Sequence, residues 1–432
     1  MKALLDKNRQ SGFALIITLS LLSLLVLAVL ALSALTKVNS QIASSSLQQT
    51  QARQNALLGL NVALGELQRY AGSDTDITAM AGVTGVAALS TNSTRHWCGV
   101  WGASGGFVTW LASGAVTTSN AAIQAGLDKI ALVDTGSVGA AAANSEHVEV
   151  GKLALTVVDP LTTLTRVDGN YAYWVGDEGV KVSAYSPTAE LAIPGVPPVL
   201  GSNPATSATA KLRAALTANP AKLPRVLAYA QLSLVPTTAL TDSVLQDSFH
   251  HTTLTTYRLM PQTLGVLRRT GTFNLNTNSI IAWRGVLETY NASGASPQIA
   301  TAALGTSTIT SLPARIANGL AAATTVGKSA NGPFTLVDSF ATGALLSTAL
   351  TASGSGVTPV QLIAGIGPML TTRSDTFRVR AYGDAVNPVD TTKTEATAYC
   401  EAIVQRIAYP PPSGGDRKFV ITYFRWLGPD DI

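Results

Sequence analysis

Charge is scarce in this chain: Asp, Glu, Lys and Arg together supply 12% of its 432 residues. The formal surplus of +4 is scattered, without a basic stripe interleaved with aromatics, so nucleic-acid binding is not expected. Cysteine is scarcer still. Cys98 and Cys400 stand far apart and form no CxxC pair, which removes zinc-ribbon and thioredoxin-like readings. Outside the cytoplasm they are either one disulfide or two small buried thiols. The four histidines show no metal-ligand spacing, and His250-His251 would point to different faces of a regular element, so solvated or packing roles are expected of them. Ala, Thr, Ser and Gly fill the space that charge leaves, a balance typical of extracytoplasmic surfaces. With 46% apolar residues the chain has enough to bury one large core or two modest ones.

One long hydrophobic run dominates what is present. Lys2, Lys7 and Arg9, with Asp6 as the sole acid, precede Ser11-Gly12, and Phe13 to Thr36 then carries no charged side chain. At 1.5 Å per residue, about 24 residues span about 36 Å, enough to cross a hydrocarbon core of about 30 Å. The basic flank belongs inside and the rest of the chain outside. A secretory signal peptide is the rival reading, with Ala31-Leu32-Ser33 before Ala34 as its cleavage site. The run is too long for a typical apolar core of roughly 7–15 residues. The helical pattern also continues beyond it, with Ile42, Leu47, Leu57, Leu60, Leu64 and Leu67 recurring mostly at three- and four-residue steps. From Phe13 to Tyr70 the combined helix would be about 87 Å long, stopped by Gly72-Ser73-Asp74.

Gly12-Phe13-Ala14-Leu15-Ile16-Ile17 resembles the processing site of the type IV pilin superfamily, in which a short basic leader ends in Gly and a prepilin peptidase cuts before Phe. The helix itself is similar to the PilX-type N-terminus. Most members carry Glu at the fifth mature position, where this chain has Ile17, a departure shared with the large K-type pseudopilins. In the family that Glu pairs with the amino terminus of a neighbouring subunit, since an uncompensated carboxylate in lipid would be costly; the likeness to K-type members without it implies a minor or tip subunit. The resemblance extends to Asp177-Glu178-Gly179 followed by Asn274-x-Asn276-Thr277, an order similar to that of K-type pseudopilins. Arg373-Ser374-Asp375-Thr376-Phe377, Tyr399-Cys400-Glu401-Ala402 and Phe424-Arg425-Trp426-Leu427 also resemble pilin-like envelope proteins of the verrucomicrobial (Verru-Chthon) cassette type.

The expected organisation is a basic leader (1–12), a transmembrane segment (13–36), an amphipathic extension of the helix (37–72) and an extracytoplasmic head (73–432). Within the head, Tyr171 to Val182 reads as two strands joined by a tight turn at Asp177-Glu178-Gly179. A helix is expected from Ala205 to Thr217. Phe273 to Ser279 passes from a short strand into a helix, with Asn278 or Ser279 as its cap. Thr301 to Thr358 suggests helices separated by loops. At the C-terminal end (373–427), Thr376–Ala381 alternates Phe377, Val379 and Ala381 against Arg378 and Arg380, a half-buried strand with one solvated face. Ala396–Ile407 and Lys418–Trp426 follow as further strands of an antiparallel meander. The fold class is therefore α+β: a long membrane-spanning helix packed on an antiparallel sheet, with a helical insertion, as the pilin resemblance implies.

Motifs that copy catalytic signatures lack their required context. Asp134-Thr135-Gly136-Ser137 matches the aspartic-protease signature, which needs a second Asp sharing the proton, and no second copy occurs. Gly327-Lys328-Ser329 has Ala322 where a phosphate loop needs its first Gly, and Gly102-Ala103-Ser104-Gly105-Gly106 has no buried strand leading into a nucleophile elbow. Asp168, Asp177 and Glu178 are weak calcium candidates, weighed against plain turn-forming roles. No other metal and no cofactor is expected. The resulting expectation is a structural minor pilin or pseudopilin-like subunit in the inner membrane, its head extracytoplasmic, of a type IV pilus or type II secretion-like assembly. Leader cleavage falls between Gly12 and Phe13, and the helix packs on other pilin-like subunits through Phe13, Ile17, Leu21, Leu25, Ala28 and Ala31. The alternatives are a membrane-anchored aspartic hydrolase using Asp134 and a single-pass surface adhesin.

Overall fold

The computed structural model describes residues 2–85, 92–158, 165–183, 242–253, 257–262, 265–270, 272–292, 295–305, 309–329, 331–387, 390–407 and 417–432. The helix expected over Ala205–Thr217 lies outside them. The first element is one helix, α1 (Lys2–Tyr70), of 69 residues, which takes in the leader, the apolar run and its polar extension without a break. The strands in chain order are β1 (Ile77–Met80), β2 (Cys98–Trp101), β3 (Phe107–Trp110), β4 (Lys129–Val133), β5 (Val148–Gly151), β6 (Leu153–Val158), β7 (Thr165–Asp177), β8 (Val182–Ser183), β9 (Thr252–Thr253), β10 (Tyr257–Gln262), β11 (Gly265–Thr270), β12 (Phe273–Asn274), β13 (Leu370–Thr371), β14 (Thr376–Val386), β15 (Thr394–Arg406) and β16 (Phe419–Leu427). Shorter helices are α2 (Thr135–Val138), α3 (Asp242–Ser248), α4 (Ile280–Ala292), α5 (Leu312–Ala321), α6 (Val337–Thr342), α7 (Ala344–Ala352) and α8 (Pro359–Ile366).

The fold is α+β, and its centre is a five-stranded sheet in the order β16-β15-β14-β7-β6, antiparallel throughout. The C-terminal meander β14-β15-β16 is as the alternation implies. The hairpin expected at Asp177-Glu178-Gly179 is not formed. Both edges of Tyr171–Asp177 are already occupied: β14 pairs along one, from Phe377 opposite Asp177 to Gly383 opposite Tyr171. On the other, Ser113 N–H donates to the Tyr173 carbonyl and Val175 N–H to the Leu111 carbonyl. The chain beyond the turn therefore leaves the sheet, and Val182-Ser183 pairs in parallel with Thr252-Thr253.

Helix α1 lies across one face of this sheet. The buried stripe is made of small residues: Ala52, Ala56, Ala63 and Ala71, with Leu60 and Leu67, pack on Val175, Phe377, Val379, Ala381, Cys400, Ala402 and Val404. The leucine stripe expected from periodicity is only partly used, since Ile42, Leu47 and Leu57 remain exposed. The cause is the closeness of approach. A Cβ on Gly383 would sit 2.1 Å from the Ala56 nitrogen and 2.4 Å from the Ala52 oxygen, and one on Gly59 would sit 3.0 Å from the Ala172 oxygen. At that separation the contact face accommodates alanine and glycine, and leucines flank it.

Polar side chains on α1 then fix its register. Asn55 donates to the Asp384 carbonyl at 2.6 Å, Gln51 to the Asp168 carbonyl at 2.7 Å, and Gln68 to the Arg417 carbonyl at 2.9 Å while accepting from Phe419 N–H. Beyond the last turn, the Gly72 carbonyl receives the Arg406 guanidinium at 2.6 Å, a cation placed where the helix dipole favours one.

The opposite face of the sheet is covered by the rest of the head, whose larger core gathers Trp97, Trp101, Trp110, Trp174, Trp283, Phe334 and Phe340. Helices α5 to α7 fill the Ala/Thr/Gly-rich region, and α8 follows it. Phe273-Asn274 does lead into α4, and the Ser279 hydroxyl accepts from Ala282 N–H as the cap.

Candidate functional sites: an uncovered rod, a buried charge ladder and a histidine cluster

The membrane-spanning candidate is the part of α1 that the head does not reach. Phe13, Ile17, Leu21 and Leu25 are exposed, as are Leu15, Leu27, Leu30 and Leu32. Phe13 is 68% and Leu27 69% accessible, so no part of the head shields this run. It is one helix long and apolar enough to cross a membrane. Thr18, Ser20, Ser23 and Thr36 do not interrupt it, because each hydroxyl donates back to a carbonyl three or four residues earlier. Gly12 and Phe13 sit inside the same continuous helix.

Arg378 and Arg380 are not on a solvated face. They point from β14 into the covered side of the sheet, where both are almost completely inaccessible. Alternation correctly separated them from Phe377 and Val379. What it does not carry is that β4, α2 and the Phe249 turn lie over that side. Glu401 on β15 accepts from Arg380 Nε at 2.9 Å, approaches Arg378 Nη1 at 3.8 Å and meets Arg425 Nε at 3.1 Å. Glu178 holds Lys181 at 2.6 Å and Arg378 Nε at 3.1 Å. The Phe249 ring lies 4.5 Å from the Arg378 guanidinium and 4.8 Å from that of Arg380. Arg380 also donates to the Leu132 carbonyl and the Ser137 hydroxyl.

Burial opposes ionisation of Glu401, yet Arg380, Arg378 and Arg425 bring its pKa down to about 2. Burial also acts on Arg380, and outweighs Glu401 in lowering that pKa to about 10. The two ends therefore shift in opposing senses. Glu401 gains from its partners while Arg380 bears the cost of desolvation, which makes the ladder close to neutral in net stability and costly to break from one side.

The calcium candidates do not converge. Asp168 and Asp177 lie nine residues apart along one strand, about 30 Å. Asp168 pairs with Arg166 at 2.7 Å, Glu178 belongs to the charge ladder, and Asp177 accepts from Gly179 N–H, its pKa raised to about 6 by burial. Cys98 and Cys400 are free thiols in the core beneath α1 rather than a disulfide. Burial raises the Cys400 pKa to about 12 and pushes Cys98 well above its usual value, so both are protonated at neutral pH.

The motifs that copy catalytic signatures make the following contacts. Asp134 caps α2 by accepting from Thr135 N–H at 2.8 Å, and its Oδ1 faces His147 Nδ1 at 2.8 Å instead of a second carboxylate. The Thr135-Gly136-Ser137 turn receives the last residues of the chain: Asp134 N–H and Ser137 N–H donate to Ile432, and the Ser137 hydroxyl donates to the Asp431 carbonyl at 2.7 Å. Gly136 is needed there because a Cβ would fall 2.1 Å from the Asp430 oxygen. Lys328 donates to the carbonyls of Val83, Leu320 and Ala322. Contrary to expectation a buried strand, β2, does lead into Gly102, but Gly102–Gly106 turns back into strand β3 and not into a helix.

Sequence spacing concealed one cluster. His96 Nε2 lies 3.2 Å from Glu146 Oε2, His251 Nε2 lies 4.0 Å from the same oxygen, and His250 Nε2 bonds the Glu146 carbonyl at 2.8 Å. The His96 and His250 rings stack with centroids 3.6 Å apart. Arg95 holds Glu146 Oε1 at 3.1 Å, and the Ser279 hydroxyl lies 2.8 Å from His251 Nδ1. Burial lowers the pKa of His96 and His250, and that of His251 to about 4, so the imidazoles are neutral at pH 7. Glu146, His250 and His251 line a cleft of about 530 Å³ together with Gln246 and Arg284.

No protein-family model matches the sequence, and no curated protein matches it. Among solved structures, the chain is similar to one from the GspK-GspI-GspJ complex of the type 2 secretion system of enterotoxigenic Escherichia coli. The identity is 13% and the TM-score 0.31, over 64% of this chain and 84% of that one.

Proposed function

We propose that the protein is a membrane-inserted, pilin-like structural subunit, a minor pilin or pseudopilin, and that its work is assembly and not catalysis. The observation that carries this reading is the division of α1. One half is an uncovered apolar rod, and the other is fixed to a sheet by a glycine-alanine contact and side-chain-to-backbone hydrogen bonds. A cleaved export signal has no need of that second half, whereas a subunit that bundles through its rod and displays a head needs both. In this reading a prepilin peptidase removes residues 1–12, the basic leader faces the cytoplasm, the span crosses the inner membrane, and the head is extracytoplasmic. Ala28, Ala31, Ser33 and Ala34 supply small side chains for close helix approach in lipid. The type IV pilus or type II secretion-like context, and the PilX-type and verrucomicrobial likenesses, belong to the same proposal and rest on the motifs of the sequence.

Single cysteines placed in turn from Leu15 to Leu32 test this reading in native membranes, against a low background because both native thiols are buried. Oxidative crosslinking is expected to give an ordered ladder of subunits whose yield repeats every three to four residues. Monomers alone at every position, as an isolated anchor or adhesin would give, contradict it.

A further inference from the structure

The structure assigns a tetrahedral divalent transition-metal site, best suited to zinc, to His96, Glu146, His250 and His251 in the head. The ligand atoms of His96, Glu146 and His250 all lie within 4.8 Å of one another. His251 Nε2 reaches the same carboxylate oxygen at 4.0 Å. Donors bound tetrahedrally at about 2.1 Å stand about 3.4 Å apart, so the His96–Glu146 separation of 3.2 Å already fits. Binding requires the His96 and His250 rings to leave their parallel stack, His250 to exchange its bond to the Glu146 carbonyl for the ion, and His251 to swing in toward the group of three. Three imidazoles with one carboxylate form a nitrogen-rich set that suits zinc and not the oxygen-seeking calcium or magnesium ions.

The surroundings orient this set as an outer shell would. Arg95 occupies Glu146 Oε1, which leaves Oε2 toward the histidines. The Ser279 hydroxyl engages His251 Nδ1, which leaves Nε2 facing the carboxylate. His96 is held from behind, its carbonyl receiving Trp174 Nε1–H at 3.1 Å. The cleft beside Glu146, His250 and His251 gives an ion a path from solvent. The donors come from three separate segments: the turn before β2, the turn before β5, and the α3–β9 turn. An ion there adds a common centre to segments that already meet through the Arg95–Glu146 ion pair and the His250 bond to the Glu146 carbonyl.

The test uses the full chain in detergent, stripped with a chelator and given zinc or cobalt(II). Wild type is expected to retain one equivalent of zinc after gel filtration, to melt at a temperature that rises with free zinc, and to give the intense visible bands of tetrahedral cobalt. Glu146→Gln and His251→Asn should each weaken zinc binding at least tenfold, whereas His147→Asn, which alters the histidine beside Asp134, should not. The cobalt spectrum of the wild type requires no variant and so does not depend on how a variant folds. Retention of no zinc by wild type, a spectrum of octahedral cobalt like that in solvent, or equal losses in His147→Asn and Glu146→Gln would overturn the assignment.

Discussion

Gly383→Val is expected to detach the rod from the head. The new side chain has nowhere to go, because the atoms facing it are the backbone of α1 itself, the Ala56 nitrogen at 2.1 Å and the Ala52 oxygen at 2.4 Å from the Cβ position. A flexible side chain could swing aside, but a helix backbone yields only by moving as a body. Overpacking a core ordinarily costs about 1–3 kcal/mol. Here the displacement also strains the Asn55 and Gln51 hydrogen bonds to the sheet, so a loss of about 3 kcal/mol or more is expected in thermal or denaturant unfolding of the detergent-solubilised chain. Gly65→Ala is the control. It lies on the same helix with nothing within 4 Å of its Cβ position, and should stabilise by up to about 1 kcal/mol through helix propensity. Wild-type stability in Gly383→Val would mean that α1 does not rest on the sheet as described.

The second large effect is expected at Glu401. Removing its charge as Glu401→Gln leaves Arg380 and Arg378 buried with their shared carboxylate gone, and one-sided breakage of a buried ion network costs about 3–5 kcal/mol. The pH dependence has a definite sign. The folded pKa, about 2, lies below the ordinary 4.5, so between those values the unfolded chain binds more protons than the folded one. This contribution is fully present above about pH 4.5 and is lost as pH falls toward 2, on the order of 3 kcal/mol in all. A stability-against-pH series from pH 5 to 2 should therefore slope more steeply for wild type than for Glu401→Gln. Parallel slopes would show that Glu401 is not ionised against the arginines.

The ladder also illustrates which parts of this molecule were legible in its sequence. The long helix was, because a membrane span requires an unbroken apolar run and nothing else in the chain resembles Phe13–Thr36. The three C-terminal strands were legible because a two-residue period with turn residues between is itself the physical signature of half-buried strands. That period sorts Arg378 and Arg380 onto a common face but is silent on what covers the face, and here the cover comes from Leu132, Ser137 and Phe249, all remote in the sequence. Helix periodicity was read from leucines, the residues with most area to bury. Of those leucines Leu60 and Leu67 do bury against the sheet, but the closest approach is made by alanine and glycine, which periodicity of large residues does not register.

Two further elements lay beyond local pattern. The Asp177-Glu178-Gly179 turn looked like a hairpin because its flanks suit strands, yet strand partners are assigned by the whole sheet and both edges there were taken. The His96, Glu146 and His250 cluster joins residues 50 and 104 positions apart, so metal-ligand spacing could not disclose it. The pair His250-His251 was the available signal. Its two rings were expected to face apart, as in a strand or helix, but they sit in the turn between α3 and β9, where that alternation does not apply.

The central claim is that the apolar rod stays joined to its head in the mature protein. N-terminal sequencing of the protein extracted from membranes addresses it most directly. A first residue of Phe13 is the predicted result; a polypeptide beginning near Ala34, recovered free of the membrane, would contradict the account.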